Sequence, residues 1–244
     1  MMRICAEKMG QRELNEKIRE AAKNGTSEIL LEKVNGHRYI GAGLSGNFKV
    51  EVDGVAGNDL AAFMNGPTIE VDSNAQDVIG NTMNSGKVVI HGHTGDIVGH
   101  SMRGGKIFIE GNTGYRAGIH MKAYRDLYPV LVVGGKAGDF LGEYMAGGLI
   151  ILLGENSNDS EIVGNHVGTG MHGGEIYVRG SVPERKIGEG VKSETPNEKD
   201  EEIIKKYLKQ YSKHFDAKVN QIRPKEFTKL RPKTHRPYGK IYAY

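Results

Sequence analysis

The chain has 244 residues, with 33 Lys and Arg against 30 Asp and Glu, a formal net charge of +3 and one cysteine. A single cysteine, Cys5, excludes an internal disulfide framework and a cysteine-ligated metal cluster within one chain. The start lacks the apolar run of a signal peptide, and no later apolar run could span a bilayer, so we expect a soluble, cytoplasmic protein without membrane contact.

The first 40 residues predict a short helix and then a strand. Residues 11–23 place Leu14 and Ile18 on one face of an amphipathic helix, which the Asn-Gly at 24–25 ends. Residues 27–34 then have the composition of a strand that caps the next segment of the chain. We treat residues 1–40 as an N-terminal helix and capping strand.

Residues 41–182 are a repeat. Of the 35 glycines, 29 lie between positions 41 and 180, where units of Gly-x-x-Met, Gly, a strand and Gly-x-x-Gly succeed one another. Each unit contains two apolar residues separated by one position, and successive pairs are 19 residues apart except where an insertion lengthens the step. The pairs are Val50/Val52, Ile69/Val71, Val88/Ile90, Ile107/Ile109, Leu131/Val133, Ile150/Leu152 and Ile176/Val178.

This period predicts an all-β fold, a parallel β-solenoid of about seven coils. Leucine-rich repeats need a Leu/Asn frame that is absent here, and helical repeats are longer and poor in glycine. In a solenoid the same position of each unit stacks on its equivalent in the next coil, and glycine recurs because every coil turns several corners.

Three columns of this stack are structural predictions. Six methionines would form an apolar interior ladder, although a soft-metal site is the alternative: Met64, Met83, Met102, Met121, Met145 and Met171. One glycine column comprises Gly80, Gly99, Gly118, Gly142 and Gly164. Asp77, Asp96 and Asp139, with Tyr115 interrupting them, are corner residues that hydrogen bond to backbone, or alternatively a catalytic pair.

One column faces outward and changes character along the chain. It begins with Glu51, Glu70 and Val89 and ends with four apolar or aromatic residues, Phe108, Val132, Ile151 and Tyr177. A solvated face does not require such a run, so either the tail of the chain or another subunit should cover it. These four residues are candidate partner contacts, and a homo-oligomer is one possibility.

The insertion within 118–129 is a second candidate for partner contact. His120, Lys122, Tyr124 and Arg125 gather polar and aromatic groups there, although a bulged, solvated corner is the simpler interpretation. "GAGLSG" at 41–46 resembles a dinucleotide fingerprint but leads into a strand instead of a helix. The histidines do not have zinc-site spacing, so the sequence predicts no catalytic, cofactor-binding or metal-binding residue on this chain.

Residues 183–244 predict a helix and a basic tail. Ile204, Tyr207, Leu208, Tyr211 and Phe215 fall on one face of a helix over 198–215. The segment carries 16 Lys and Arg against 9 Asp and Glu, whereas residues 1–182 carry 17 against 21. Such a tail should lie extended on an acidic surface, either of the body or of a partner; nucleic acid is a weak alternative because no RNA-binding motif is present.

The segments "GNDLAAFMNGPTIEV", "GYRAGIHMKAY", "GGKAGDFLGEYMAGG" and the closing "HRPYGKIYAY" resemble the third, β-helical domain of the glutamate synthase large subunit. They are most similar to its stand-alone archaeal-type version, a Gly-x-Gly-x-Gly domain. The C subunit of formylmethanofuran dehydrogenase is a more distant relative with the same coil pattern.

The resemblance implies a single-stranded right-handed β-helix that carries no catalytic residue. It implies partner subunits that supply the chemistry: a glutaminase, and a synthase that holds flavin mononucleotide (FMN) and an iron–sulfur cluster. Together they would convert glutamine and 2-oxoglutarate to glutamate. The alternatives are a scaffold subunit of formylmethanofuran dehydrogenase and a solenoid enzyme that acts on polysaccharide.

Overall fold

The structure is a computed structural model, which describes residues 1–155, 161–217 and 219–235. In chain order the elements are β1 (Met2–Cys5), α1 (Gln11–Lys23), β2 (Glu28–His37), β3 (Lys49–Ala56), β4 (Asn65–Val71), β5 (Ser85–Ile90), β6 (Lys106–Ile109), β7 (Val130–Val133), β8 (Ala146–Leu152), β9 (Gly173–Arg179), β10 (Val191–Glu194), α2 (Glu198–Phe215) and β11 (Phe227–Pro232). The strands form one sheet in the spatial order β1-β2-β3-β4-β5-β6-β7-β8-β9-β11-β10.

Strands β3 to β9 are parallel and pair in the register that the repeat predicts. Val50 lies beside Ile69, Ile69 beside Val88 and Val88 beside Ile107. The pairing continues through Leu131 and Ile150 even where insertions lengthen the connection. The predicted all-β, parallel β-solenoid is confirmed, with seven in-register strands joined by six turns.

The methionine column fills the interior. Met64, Met83, Met102, Met121 and Met145 are all fully buried in one apolar cluster with the inward residues of the strands. The thioethers reach the glycines that open the next strand: a Cβ on Gly105 would lie 2.6 Å from Met83 Cε, and one on Gly174 equally close to Met145 Cε. The ladder is therefore apolar packing between coils.

The glycine column that was predicted from the sequence contains one wrong member. Gly80, Gly99, Gly118 and Gly142 all have positive φ, between 70° and 75°. The next member is Gly168, with φ 71°, and not Gly164. Gly164 instead faces Asp139 Oδ1, as Gly95 faces Asp77 Oδ1. The insertion before this coil, of which residues 156–160 lie outside the described residues, displaced the alignment by four positions.

The aspartate column is a hydrogen-bond ladder, as one of the two interpretations predicted. Asp77 Oδ1 accepts from the Asp96 backbone N–H at 2.9 Å, and Asp96 Oδ1 accepts from the Tyr115 N–H at 2.8 Å. Asp139 Oδ1 accepts from the Asn165 N–H at 2.7 Å. Each carboxylate thus satisfies a donor of the following coil, and this joins successive corners.

Before each methionine of the interior column the chain forms a five-residue corner segment. The six segments are 59–63, 78–82, 97–101, 116–120, 140–144 and 166–170, and in each the first, third and fifth residues have positive φ. The alternation sends backbone donors to both neighbouring coils: Val78 N–H bonds to Asp96 O, whereas Gly80 N–H bonds to Leu60 O. Glycine occupies the third position of five of the six segments because its Cα faces the packed interior, where a Cβ on Gly118 would overlap Ile150 Cδ1.

The two ends of the stack are closed by the flanking segments. At the first end, α1 buries Leu14, Ile18 and Ala21 in the interior cluster, and β2 pairs in parallel with both β1 and β3. At the other end, β11 pairs antiparallel with β9 and β10. In the described part, the basic tail therefore lies on the body of the protein as a strand; residues 236–244 lie outside it.

Candidate functional site

Helix α2 covers the outward column of the sheet. Phe108, Val132, Ile151 and Tyr177 are fully buried and form a second apolar cluster with the inner face of α2, which contributes Ile204, Tyr207, Leu208 and Tyr211. The prediction that these four strand residues contact a partner is therefore wrong. The sequence analysis also allowed the C-terminal part of the chain as the cover, and its helix α2 takes that place. The apolar face of α2 packs on the apolar part of the outward column.

A buried ionic cluster fixes the N-terminal end of α2. Tyr177 donates a hydrogen bond to Asp200 Oδ1 at 2.6 Å, and Lys229 Nζ donates to the same oxygen at 2.7 Å. Lys229 also pairs with Glu175 at 2.6 Å, and Asp200 completes a capping box with Asn197. Burial disfavours ionised Asp200, but the hydrogen bonds from Lys229 and Tyr177 outweigh it and lower its pKa. This cluster joins α2 to both β9 and β11.

The C-terminal end of α2 lies over positive charge. Lys106 Nζ donates to Gln210 Oε1 at 3.0 Å, and Lys87 approaches His214. Burial, followed by the charge of Lys206, lowers the pKa of Lys106, while burial and Lys87 lower the pKa of His214. Cations at this end complement the negative end of the helix dipole.

Beyond α2, the same face of the sheet is polar. Lys49 pairs with Glu51 at 2.5 Å and with Glu70 at 2.9 Å, and His91 lies 3.0 Å from Glu70. Burial alone would raise the pKa of Glu70, but the hydrogen bonds from His91 and Lys49 lower it. The charged side chains on this part of the sheet, which α2 does not cover, are thus largely paired with one another.

The insertion forms a closed bulge beside a shallow cleft. Tyr124 and Leu127 exchange backbone hydrogen bonds of 3.1 and 3.0 Å, and the Arg125 guanidinium lies 5.2 Å from the Tyr124 ring centre. Lys122, Tyr124 and Arg125 are exposed, so their predicted partner contact stays a prediction.

The neighbouring cleft measures about 370 Å³ and is lined by Tyr128, Arg231 and Lys192 among others. Burial, with the charge of Glu175 as a smaller contribution, raises the pKa of Tyr128 to about 12. Arg231 and Lys192 are both paired with Glu194, whose pKa their hydrogen bonds lower to about 2. The cationic lining of the cleft is therefore largely neutralised.

The corner segments present an apolar and aromatic side to solvent. Their second residues, such as Leu60, Ile79 and Leu141, are fully buried. Their other side chains form the outer surface that we call the corner face, together with Tyr39 and Tyr115. Phe63 is 57% exposed, Tyr115 55%, Tyr39 45% and Tyr144 37%. Half-buried apolar residues lie between them: Val78, Ile97, Ile119 and Phe140.

Rings stack along the corner face from coil to coil. His120 lies parallel to Tyr144 with centres 5.3 Å apart, and Phe140 lies parallel to His166 at 4.9 Å. The Arg116 guanidinium lies 4.7 Å from the Phe140 ring centre and also pairs with Glu143. His120 is thus the one member of its predicted group that belongs to a larger ordered surface.

The corner face holds side chains where the backbone favours glycine. Phe63, Ile97 and Tyr144 have φ of 56°, 62° and 50°, and Val78 has φ of 64°. A left-handed conformation costs about 1 kcal/mol or more for residues with a Cβ, and β-branched residues tolerate it least. Glycine occupies the fifth position in the coil of Gly170, so the coil itself does not require a side chain there.

Two features of the structure were not predicted from the sequence. The buried cluster of Asp200 and Lys229 joins residues 29 apart, and no local pattern marks such a pair. The corner face could have been found, because Phe63, His120 and Tyr144 all directly precede a methionine of the interior column.

In the part of the chain that the structure describes, no three His, Cys, Asp or Glu residues lie close enough to hold a metal ion. No helix there is long and apolar enough to cross a membrane.

The chain was compared with known proteins. It is 47% identical over 250 residues to an uncharacterised protein of Methanocaldococcus jannaschii, an alignment that covers 98% of this chain and 95% of that protein. A chain of the formyltransferase/hydrolase complex of Methylorubrum extorquens, solved with methylofuran, superposes with a TM-score of 0.62. The superposition covers 89% of this chain and 85% of that one at 21% identity, which shows a common fold. A family model described as the GXGXG motif matches residues 4–236. Since that match covers nearly the whole chain, the protein belongs to the GXGXG motif family.

Proposed function

We propose that this chain is a non-catalytic scaffold subunit of a multi-subunit enzyme. The aspartate ladder carries the proposal. Asp77, Asp96 and Asp139 repeat at one corner of the coil, and each one accepts a backbone hydrogen bond from the next coil. Glu51 and Glu70, which lie side by side on adjacent strands, are both paired with Lys49. A solenoid enzyme acting on polysaccharide needs such carboxylates free in a groove, where they serve as acid and base. Here they hold the coils together.

The enzyme that we propose is an archaeal-type glutamate synthase, which forms glutamate from glutamine and 2-oxoglutarate. In such a complex the chain holds a glutaminase subunit and a synthase subunit in register. The motifs that resemble the β-helical domain of glutamate synthase support it, together with membership of the GXGXG family. FMN and the iron–sulfur cluster belong to the synthase subunit in this proposal. The lone, exposed Cys5 does not provide the several thiolates that a cluster needs.

A second candidate is the scaffold subunit of a formylmethanofuran dehydrogenase. The superposition on a chain of the formyltransferase/hydrolase complex favours it, although that likeness concerns the fold. Both candidates share the same role for this chain, a rigid stack that positions catalytic subunits. They differ in the subunits that bind it.

The test is purification of the tagged, full-length chain from its native cells under mild conditions, with identification of bound subunits by mass spectrometry. Co-purification of glutaminase and flavin subunits, with glutamine-dependent formation of glutamate from 2-oxoglutarate, is the expected result. A molybdopterin or tungstopterin subunit instead would establish the second candidate. Glycan cleavage by the purified chain alone would refute a scaffold role.

A further inference from the structure

We infer that the corner face is the docking surface for a partner subunit that presents apolar side chains flanked by arginine or lysine. The inference rests on the proposed function, because it names the part of the scaffold to which a partner binds. Three observations carry it: the exposure of aromatic residues, the backbone conformation that holds them, and the carboxylates beside them that form hydrogen bonds but, among the described residues, no salt bridge.

The aromatic residues share one position of the coil. Phe63, His120 and Tyr144 occupy the fifth position of their corner segments, where equivalent positions stack at roughly 4.8 Å per coil, and Thr82 and Ser101 lie between the first two. Val78, Ile97 and Phe140 occupy the first position, half-buried, with Arg116 between the last two. Exposed aromatic and apolar residues in such rows, on a chain that already covers its sheet with α2, are typical of a protein interface.

The backbone conformation argues that these side chains are retained for binding. At φ near +55°, Phe63 and Tyr144 strain the chain, and glycine would relieve the strain without loss of interior packing. Phe63 is mostly in solvent, so its ring stabilises the free chain little. A side chain that opposes folding and contacts little within its own chain has its use in a complex.

The charge of the corner face defines the partner. Asp59, Asp77, Asp96 and Asp139 lie at the start of four corner segments or just before them, half-buried; the segment 116–120 follows Tyr115 instead. Each accepts a hydrogen bond from a backbone or amide N–H, and within the described residues none has a Lys, Arg or His within salt-bridge distance. An acidic line beside an aromatic row attracts a surface whose apolar residues are flanked by cations.

The experiment measures binding of purified full-length chain to the subunit that co-purifies with it. In the variant Phe63→Gly/Tyr144→Gly we expect equal or higher stability of the free chain but about tenfold weaker binding. Asp216→Gly is the matched control, because Asp216 also has positive φ, at the C-terminus of α2 and away from the corner face. It should bind like the wild type.

A second variant tests the charge. Asp77→Asn/Asp96→Asn keeps the oxygens that accept the backbone hydrogen bonds but removes the charge. We expect binding weakened a few-fold at about 0.1 M salt, with most of the difference from wild type lost at about 0.5 M salt. Hydrogen exchange should show protection of residues 97–101 and 116–120 in the complex.

The outcomes separate the two proposals. If subunits bind but both corner-face variants bind like wild type, the docking surface is wrong and the scaffold role stands. If the wild-type chain binds no subunit, both proposals fail. If the chain alone forms a dimer by light scattering and Phe63→Gly/Tyr144→Gly makes it monomeric, a second copy occupies the face and the basic partner is refuted.

Discussion

The Tyr177 hydroxyl donates a 2.6 Å hydrogen bond to Asp200, and this contact ties the last parallel strand to the first turn of α2. Tyr177 is fully buried and Asp200 is 4% exposed, so the bond lies in a region of low dielectric. The same oxygen of Asp200 also accepts from Lys229, which adds β11 to the junction. One carboxylate therefore holds three elements together.

Replacing this carboxylate should destabilise the protein strongly. We expect Asp200→Ala to lower the free energy of unfolding by about 3 kcal/mol, because Lys229 loses a buried partner and α2 loses its capping box. Glu202→Ala, on the exposed face of the same helix, is the control and should change stability by less than about 0.5 kcal/mol. Urea unfolding measures both, and equal effects would contradict the role of the cluster.

The same cluster predicts a dependence on pH. The pKa of Asp200 is lowered in the folded chain from its ordinary value of 3.8, so its contribution to stability is present above that value and is lost as the pH falls through the lowered pKa. We expect the stability difference between wild type and Asp200→Asn to shrink between about pH 5 and about pH 2. Denaturation at a series of pH values measures it; a constant difference would show that Asp200 is not the titrating group.

Two corner glycines with positive φ predict a position-dependent cost of adding one methyl group. Gly43 and Gly118 have φ of 67° and 75°, but a Cβ on Gly43 meets nothing within 4 Å whereas one on Gly118 overlaps Ile150. We expect Gly43→Ala to cost about 1 kcal/mol, the strain alone, and Gly118→Ala about 3 kcal/mol or more. Thermal and urea unfolding of the pair separate strain from overlap, and similar losses would argue against close coil packing at Gly118.

The methionine ladder predicts tolerance to shape but not to loss of volume. Met102 is fully buried between neighbouring coils. Met102→Leu should cost less than about 1.5 kcal/mol, whereas Met102→Ala should cost about 2–5 kcal/mol because it leaves a cavity in a narrow interior. The two variants are compared by urea unfolding. A leucine variant as unstable as the alanine variant would show that the thioether itself is needed, contrary to a packing role.

Much of the fold could be predicted because the repeat fixes it. When Ile69, Val88 and Ile107 are 19 residues apart, a parallel register with these three side by side can be derived from the sequence alone. The amphipathic pattern likewise predicted both helices, and the structure places them at Gln11–Lys23 and Glu198–Phe215. Periodicity is a local property, and it needs no knowledge of tertiary contacts.

The predictions that failed depended on long-range contacts or on an insertion. The sequence showed that Phe108 and Tyr177 need a cover but not which element provides it, since both α2 and a partner satisfy the same apolar requirement. Gly164 was placed in the wrong column because the insertion before it lengthened the step from Gly142 to its true equivalent, Gly168. The sequence predicted only an extended tail where β11 lies, because the pairing of β11 with β9 depends on where α2 ends in the folded structure.

The helix that crosses the sheet also limits how this architecture can change in length. Its 18 residues extend about 27 Å, and the strands between its two anchors, Lys229 on β11 and Lys87 on β5, span five spacings, or about 24 Å. Inserting one whole coil of the solenoid between those anchors would move them apart by about 4.8 Å, which equals the rise of roughly three residues of an α-helix. Relatives that gain a coil in this region must lengthen α2 to match or leave a strand uncovered. The number of coils and the length of the helix should therefore vary together.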